Sequence, residues 1–186
     1  MTLDWYLMRA TGVVSLVLLT IVMILGIGTV RRWRPPGAPA FVTAGIHRSI
    51  SLLSVVFVAV HVVTAVIDPY AAVSVFSAVV PFAASGNPLW VGLGAVSLDL
   101  VAALIVSSLM RRRLGARAWR AVHWTAYLCW PVAMAHSLGM GSDVSAGWMR
   151  GVAIAAFASL GLAAGTRMLS GRGVRPAGIR VAAARR

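Results

Sequence analysis

Five apolar stretches, each about as long as a membrane crossing, constrain this sequence more than any other feature. A spanning helix needs about 20 mostly apolar residues, because each residue adds about 1.5 Å against a hydrocarbon core of about 30 Å. With 60% hydrophobic and 11% charged residues, the chain of 186 residues is too apolar for a soluble domain. We predict an all-α integral membrane bundle of about five transmembrane helices, covering residues 10–30, 44–67, 89–110, 121–138 and 147–167.

The distribution of arginine predicts how this bundle is oriented. The chain has no lysine, and with the N-terminus outside, all of its 17 arginines except Arg9 and Arg150 fall on the cytoplasmic side. Because cytoplasmic loops carry the excess of basic residues, we predict an N-out, C-in, multi-pass protein of the plasma membrane. The net charge of +13 then reflects this topology and contact with membrane lipids. Nucleic acid is not an expected partner, since no basic stripe with interleaved aromatic residues is present.

The two ends of the chain are expected to behave differently. No basic region precedes the first apolar run and no small-residue cleavage pattern follows it, so the first span should stay in the mature protein. Residues 169–186 are rich in Arg, Gly and Ala and have no apolar face to bury. We therefore predict a membrane domain over residues 1–168 and a basic, disordered cytoplasmic tail over residues 169–186.

Two connections between the spans carry further predictions. The segment 68–88 is too apolar for an ordinary loop and is broken by Pro81 and Pro88. We expect it to lie on the outer membrane surface or to fold back over the bundle. The stretch from Arg111 to Trp119 is short and basic, which makes the third and fourth spans an antiparallel hairpin.

The four histidines of the chain lie in or at the edge of the apolar stretches, as two widely spaced pairs. Ionisable groups at membrane depth mark functional sites by default, because the bilayer penalises them unless they are paired or coordinated. His47 and His123 stand at the cytoplasmic starts of spans two and four, so they share a depth and can face each other. His61 and His136 follow about 21 and 20 Å farther along their helices. The sequence therefore predicts two stacked sites, an inner and an outer one.

Two bound haems are the leading explanation for this arrangement. An iron held by two imidazoles from two facing helices needs one histidine per helix per site, with small residues nearby to admit the macrocycle. A zinc or copper site draws three or four ligands into one cluster, and sites about 20 Å apart cannot share an ion with bonds of about 2 Å. We therefore predict four axial iron ligands: His47, His61, His123 and His136. A small membrane protein whose histidines support packing or transport is an alternative.

The histidines of spans two and four differ in how well they share a helix face. At about 100° per residue, His61 returns to within about 40° of the face of His47. His136 lies about 140° from His123 on an ideal helix, so span four needs an irregularity or a haem approached from another side. Pro131 removes a backbone donor between them, and a kink there is our hypothesis for the irregularity.

The sequence resembles the ferric reductase-like transmembrane domain shared by ferric reductases, NADPH oxidases and the haem subunit of bacterial methionine sulfoxide reductase. The likeness extends to about residue 168 and is carried by the histidine spacing and by four stretches: Arg9-Ala-Thr-Gly, His47-Arg48, Pro88-Leu-Trp-Val-Gly-Leu-Gly and Trp119-Arg-Ala-Val-His123-Trp. The resemblance implies that His47 with His123 holds an inner haem b, and His61 with His136 an outer one. It also implies electron flow from the cytoplasm to the outer face.

The resemblance leaves the electron donor outside this chain. Related oxidases and reductases commonly carry a cytosolic domain for FAD and a nicotinamide nucleotide, whereas only a short tail follows the fifth span here. The glycines of spans three and four do not follow a strand, so they do not form a dinucleotide fingerprint. We expect an oxidoreductase component fed by a flavoprotein, a flavin-binding protein or a membrane quinol. Its expected acceptor is an outer ferric chelate or an oxidised protein. The alternative function is that of a passive haem-binding subunit of a larger redox complex.

Several other polar residues have both a functional and a structural interpretation. Arg9 and Arg48 could neutralise haem propionates, although contact with lipid phosphate explains them equally well. Asp99 lies mid-span, where we favour a structural role with a hydrogen bond from Ser97, Ser107 or a neighbouring helix over a role in a proton path.

Three more residues lie close to the predicted haem sites. Asp143 is expected to cap the outer loop near His136, where it could shape the docking of an acceptor. Trp130 is expected to pack in the bundle or to flank a cofactor. Cys129 is expected to be a buried packing thiol.

Overall fold

The structure is a computed structural model that describes residues 3–30, 39, 41–141 and 147–171. Within these ranges all regular secondary structure is helical. The helices are α1 (Leu3–Val30), α2 (Val42–Ile67), α3 (Val75–Val79), α4 (Pro88–Leu109), α5 (Arg111–His123), α6 (Ala126–Met140) and α7 (Gly147–Gly171). The prediction of an all-α bundle is confirmed.

Four helices are long and apolar enough to cross a membrane: α1, α2, α4 and the part of α7 from Gly147 to Gly165. They correspond to the first, second, third and fifth predicted spans. α1 begins at Leu3, well before the predicted start at residue 10, and its first turn includes the acidic residue Asp4. Asp4 in that turn interacts favourably with the positive end of the helix dipole.

The fourth predicted span, residues 121–138, is not one regular helix. α6 has 15 residues, about 22 Å of helix, which is short of a full crossing by itself. Trp124 and Thr125, which separate α5 from α6, nevertheless keep helical dihedral angles, with φ of −65° and −64°. The end of α5 and α6 therefore follow one continuous path, and a fifth crossing by this path stays a prediction.

The short link expected between the third and fourth spans is formed around Gly115. This residue has φ of 73° and ψ of 165° inside α5, a conformation that costs glycine little and side-chain-bearing residues much. It separates one helical turn starting at Arg111 from the part of α5 that leads into α6. Gly115 thus lets the chain reverse direction between α4 and α6.

The helices pack as two antiparallel pairs with α7 added to one of them. α2 lies along α1, α6 lies along α4, and α7 packs on α1. Antiparallel packing of α4 and α6 follows from two contacts: Trp90 meets His136, while Ser97, farther along α4, meets Cys129, which is nearer the start of α6. The expectation of an antiparallel hairpin is confirmed.

The main apolar core lies between α1, α6 and α7. Trp130 is 4% exposed, donates its indole N–H to Thr20 Oγ1 at 2.9 Å and packs edge-on against Phe157. Its role is therefore in packing. Cys129 is also buried, as expected, and its thiol donates to the carbonyl of Ser97. The other buried members of this core are Leu16, Met23, Met134, Met149, Ala153 and Ala156.

The apolar segment 68–88 folds back over the bundle, which was one of its two expected positions. Its short helix α3 packs on α4 and contacts α2. A capping box between Ser74 and Ser77 fixes the start of α3. Phe82 packs so closely against Gly92 of α4 that a Cβ atom there would collide with its ring.

Some sequence predictions fall on residues outside the described ranges. These are the arginines expected on the cytoplasmic side after the first span, Arg31, Arg32 and Arg34, the loop residue Asp143, and the tail from residue 172 onward. α7 continues to Gly171, so the first residues assigned to the tail, 169–171, are helical.

Replacing Thr20 with valine should destabilise the bundle, because it leaves the buried indole N–H of Trp130 without its acceptor. We expect a loss of about 1 kcal/mol in the free energy of unfolding, measured by denaturant titration in detergent micelles. Thr20→Ser keeps the hydroxyl and should retain most of the stability. Equal stability of the valine variant and the wild type would show that this hydrogen bond contributes nothing.

Candidate functional site

The structure brings the four histidines together as two pairs between α2 and α6, one pair including the last residue of α5. The ring centres of His47 and His123 are 6.4 Å apart, and those of His61 and His136 are 6.3 Å apart. The two rings are inclined at 75° in the first pair and 73° in the second. Residues about 75 positions apart in the sequence thus form two sites of nearly identical geometry.

Both histidines of α2 are held by backbone carbonyls of α1. His61 Nδ1 lies 2.8 Å from the carbonyl oxygen of Met8, and His47 Nδ1 lies 3.2 Å from that of Val22. Because a carbonyl can only accept, each Nδ1 must carry the proton and donate it. Nε2 is then unprotonated in the neutral ring and can act as a ligand.

His136 is held in the same way, by a helix of the other pair. Its Nδ1 lies 2.8 Å from the carbonyl oxygen of Trp90, near the start of α4. Metal-ligating histidines usually donate their second ring N–H to a carbonyl or carboxylate, which fixes the tautomer and raises ligand basicity. Three of the four histidines have this arrangement.

A glycine follows each of the three accepting carbonyls by four residues. Gly12 follows Met8, Gly26 follows Val22, and Gly94 follows Trp90. A helical side chain points toward the N-terminus and covers the turn before its own Cα, which includes the carbonyl four residues earlier. A glycine at this position therefore uncovers the carbonyl for a side chain from a neighbouring helix.

The space beside these glycines is filled by the imidazole rings themselves. A Cβ atom on Gly94 would lie 2.7 Å from Cε1 of His136, and one on Gly12 would lie 3.0 Å from Cε1 of His61. At Gly26 the corresponding distance to His47 is 3.5 Å, an ordinary van der Waals contact. The outer pair of the sequence prediction, His61 with His136, is thus the more tightly seated.

His123 is held differently from the other three. Its Nδ1 is buried and has no hydrogen-bond partner among the described residues. Its ring stacks on Trp119, with 4.8 Å between ring centres and 24° between planes. α4 has no glycine after Gly94, so it offers no uncovered carbonyl deeper along its length.

The irregularity expected in span four is found before Pro131, at Trp124 and Thr125. There the backbone N–H of Thr125 bonds the carbonyl of Val122, and that of Tyr127 bonds the carbonyl of Trp124, both three residues back. Such 3₁₀ bonds turn the chain by about 120° per residue instead of 100°. Each such bond adds about 20° to the helical phase, so the tightened turn accounts for part of the offset of about 140° between His123 and His136. In the structure both rings face histidines of α2.

The two helices that carry the facing histidines pack mainly on other partners. α2 lies against α1 and α6 lies against α4, with little backbone contact between α2 and α6 within the described residues. The histidine pairs therefore lie across a separation between α2 and α6, while α6 also packs on α1.

The structure places the two candidate arginines at the edges of this arrangement. Arg9 directly follows Met8, whose carbonyl holds His61. Its guanidinium lies 4.5 Å from the ring centre of Trp5. Arg48 follows His47 and is exposed. Their roles toward a cofactor stay predictions.

The expected hydrogen bonds to Asp99 are absent from the part of the chain that is described. Ser97 donates to the carbonyl of Gly94, and Ser107 donates to that of Leu104. Both hydroxyls therefore bond carbonyls of their own helix, and Asp99 is exposed on α4. The predicted structural role for Asp99 through these two serines is therefore wrong.

The described ranges contain no group of three or more His, Cys, Asp or Glu residues placed to hold a metal ion. Comparison with protein-family models, curated protein sequences and solved structures finds no match to this chain.

Sequence reasoning assigned no role in the site to the three glycines or to Trp119, although Gly12, Gly94 and Trp119 lie in the stretches that carry the resemblance. A signal for two of them was present, because Gly12 and Gly26 have the same spacing in α1 as His47 and His61 in α2. Equal spacing in two antiparallel helices is what paired contacts require.

Proposed function

We propose that this chain holds two b-type haems, one between His47 and His123 and one between His61 and His136, and carries electrons across the membrane. The observation that carries the proposal is the spacing of the rings in each pair, 6.4 and 6.3 Å. An imidazole nitrogen lies about 1.2 Å from its ring centre and bonds a transition metal at about 2.0 Å. Two imidazoles on opposite sides of one ion therefore have ring centres about 6.4 Å apart.

The hydrogen bonds of the histidines support the same assignment. The carbonyls of Met8, Val22 and Trp90 hold three rings with Nδ1 protonated, which leaves Nε2 as the metal-binding atom. The imidazole rings must be neutral to bind iron, so haem binding should weaken in acid. The chain thus prepares its ligands before any cofactor arrives.

The number of ligands in each pair favours haem over a bare metal ion. Structural zinc sites use four protein ligands and catalytic sites use three. Each histidine pair supplies two, and haem needs no more than two axial ligands because its macrocycle supplies the rest. The separation between α2 and α6 is consistent with a flat group between these two helices.

A haem with two axial imidazoles has no open position for O₂ or substrate, and supplies one-electron transfer. What the chain contributes is the position of the rings, about 21 Å apart along α2, and apolar surroundings that exclude water. Two such sites at different depths form a path across most of a hydrocarbon core of about 30 Å.

The expected donor and acceptor complete this proposal. A reduced flavoprotein, flavin-binding protein or quinol supplies the electron, and an outer ferric chelate or oxidised protein accepts it. The resemblance to ferric reductase-like transmembrane domains supports cytoplasm-to-outside flow, with the N-terminus outside. On this view the chain is an oxidoreductase component.

A structural role for the histidines is the second candidate, and one observation favours it. His61 bonds α1 from α2, and His136 bonds α4 from α6, so each ring already ties two helices together. Interhelical hydrogen bonds of this kind stabilise membrane bundles without a cofactor. Cofactor content separates the two candidates.

Purified protein should give a low-spin b-type difference spectrum between its dithionite-reduced and oxidised forms. His61→Ala should remove about half of the haem, because it deletes one ligand of one of two sites. The measurement is haem per polypeptide, by absorbance of the pyridine haemochrome.

Val63→Ala is the matched control for this variant, since Val63 lies on α2 two residues away and is 57% exposed. It should keep the wild-type haem content. Absence of the b-type spectrum from the wild type would leave the structural role as the better explanation. An unchanged haem content in His61→Ala would remove His61 from the ligands.

Gly94, Gly12 and Gly26, which lie against the histidine rings, are called the seat glycines. Alanine at each of them should reduce haem content, with the largest loss where the added Cβ atom would lie nearest the ring. Gly94→Ala should lower occupancy of the His61–His136 site most, because its Cβ would lie 2.7 Å from His136. Gly12→Ala should act more weakly, and Gly26→Ala should be close to neutral. Haem per polypeptide and the reduced spectrum measure the effect.

Gly161→Ala in α7 controls for the substitution itself, because no atom lies within 4 Å of the added Cβ. Alanine favours helix over glycine by about 1 kcal/mol, so a loss of haem cannot come from weaker helix formation. Equal occupancy in all four variants would show that the glycines do not seat the ligands.

Electron transfer itself can be tested in proteoliposomes that hold ferric chelate on one side and reduced flavin on the other. Haem-loaded protein should form the ferrous chelate at a rate well above that of empty vesicles, and His61→Ala should lose this activity because one of its two sites is vacant. Haem that is reduced but never reoxidised would favour a passive subunit of a larger complex.

A further inference from the structure

A row of stacked side chains leads from an exposed positive charge to His123. The guanidinium of Arg111 lies 4.2 Å from the ring centre of Trp119, and the ring of Trp119 lies 4.8 Å from that of His123. Arg111 itself is exposed at the start of α5. Its charge is therefore separated from one predicted ligand by a single indole ring.

This row takes the place that a backbone carbonyl has at the other three histidines. His123 Nδ1 and Trp119 Nε1 are both buried, and neither has a hydrogen-bond partner among the described residues. The orientation of both rings is consequently set by stacking and by the cation above Trp119, not by hydrogen bonds. Cation–π and ring contacts of this kind are attractive and favour particular ring orientations.

We propose that Trp119 and Arg111 are positioning residues for the haem between His47 and His123, and that they raise its midpoint potential. This inference rests on the proposed haem function. It assigns Trp119 and Arg111 a role in setting the electronic properties of one site, through His123, with no contact to the haem required.

Two physical effects act in the same direction at this site. With two neutral imidazoles, the ferric haem carries one more positive charge than the ferrous haem, so a fixed cation nearby disfavours the ferric form. An Nδ1–H without a carbonyl acceptor also makes the imidazole a weaker electron donor than one that is hydrogen-bonded. Both effects stabilise the ferrous state relative to a site like that of His61.

The experiment is a redox titration of the haem-loaded protein, followed by absorbance, in the wild type and in Arg111→Gln. Loss of the charge should shift one of the two haem components to lower potential, with the ferrous-to-ferric ratio at a fixed potential falling about fivefold. The shifted component should be the one that persists in His61→Ala, which retains the His47–His123 site. Arg112→Gln removes the same charge one residue away and should shift neither component appreciably.

Trp119→Leu tests the stacking itself. It should shift the same component to lower potential and alter its low-spin ferric EPR signal, because that signal depends on the relative orientation of the two imidazole planes. Trp124→Leu is the control, since that indole pairs with Tyr127, with 5.2 Å between ring centres. Trp119→Phe keeps an aromatic ring and should restore most of the wild-type EPR signal.

The outcomes separate the two proposals. A wild-type protein without haem would overturn the proposed function. If the wild type holds two haems, but the potentials and EPR signals of Arg111→Gln and Trp119→Leu match those of the two control variants, only the role of this stack is overturned. A shift confined to the other component would also overturn it.

Discussion

The structure depends on a hydrogen bond from a histidine ring to the backbone carbonyl of a neighbouring helix. In a bilayer an ionisable side chain is costly unless its polar atoms are satisfied, and a helical carbonyl is normally covered by the side chain four residues later. Glycine at that later position removes the cover. The pairs Met8 with Gly12 and Trp90 with Gly94 show the same solution in two different helices.

This local interaction also fixes the register between helices. His47 and His61 bond carbonyls at Val22 and Met8, so the separation along α2 is reproduced in reverse along α1. A slip of one residue between the two helices would move both rings away from their carbonyls and against side chains. The same bonds that orient the rings therefore hold α1 and α2 antiparallel and place the ring pairs at two depths.

The sequence was sufficient for the apolar helices and for the pairing of the histidines, because both follow from spacing along a regular helix. It was insufficient where local hydrogen bonding changes that spacing. A kink at Pro131 was expected in span four, but the tightened turn at Thr125 was not, and there the hydroxyl of Thr125 donates to the carbonyl of Val122 at 2.7 Å. The prediction for Asp99 was wrong for a related reason, since the two serines expected to bond it donate to carbonyls of their own helix instead.

The different setting of His123 follows from this same rule of uncovered carbonyls. α1 has two seat glycines and can hold both histidines of α2, whereas α4 has one, Gly94, and can hold only His136 in this way. The ring of His123 must then be oriented from its own helix, where Trp119 lies one turn earlier on the same face. Two pairs with nearly equal ring spacing thus differ in what surrounds one ligand, and a difference of this kind is what would give two otherwise similar haems different potentials.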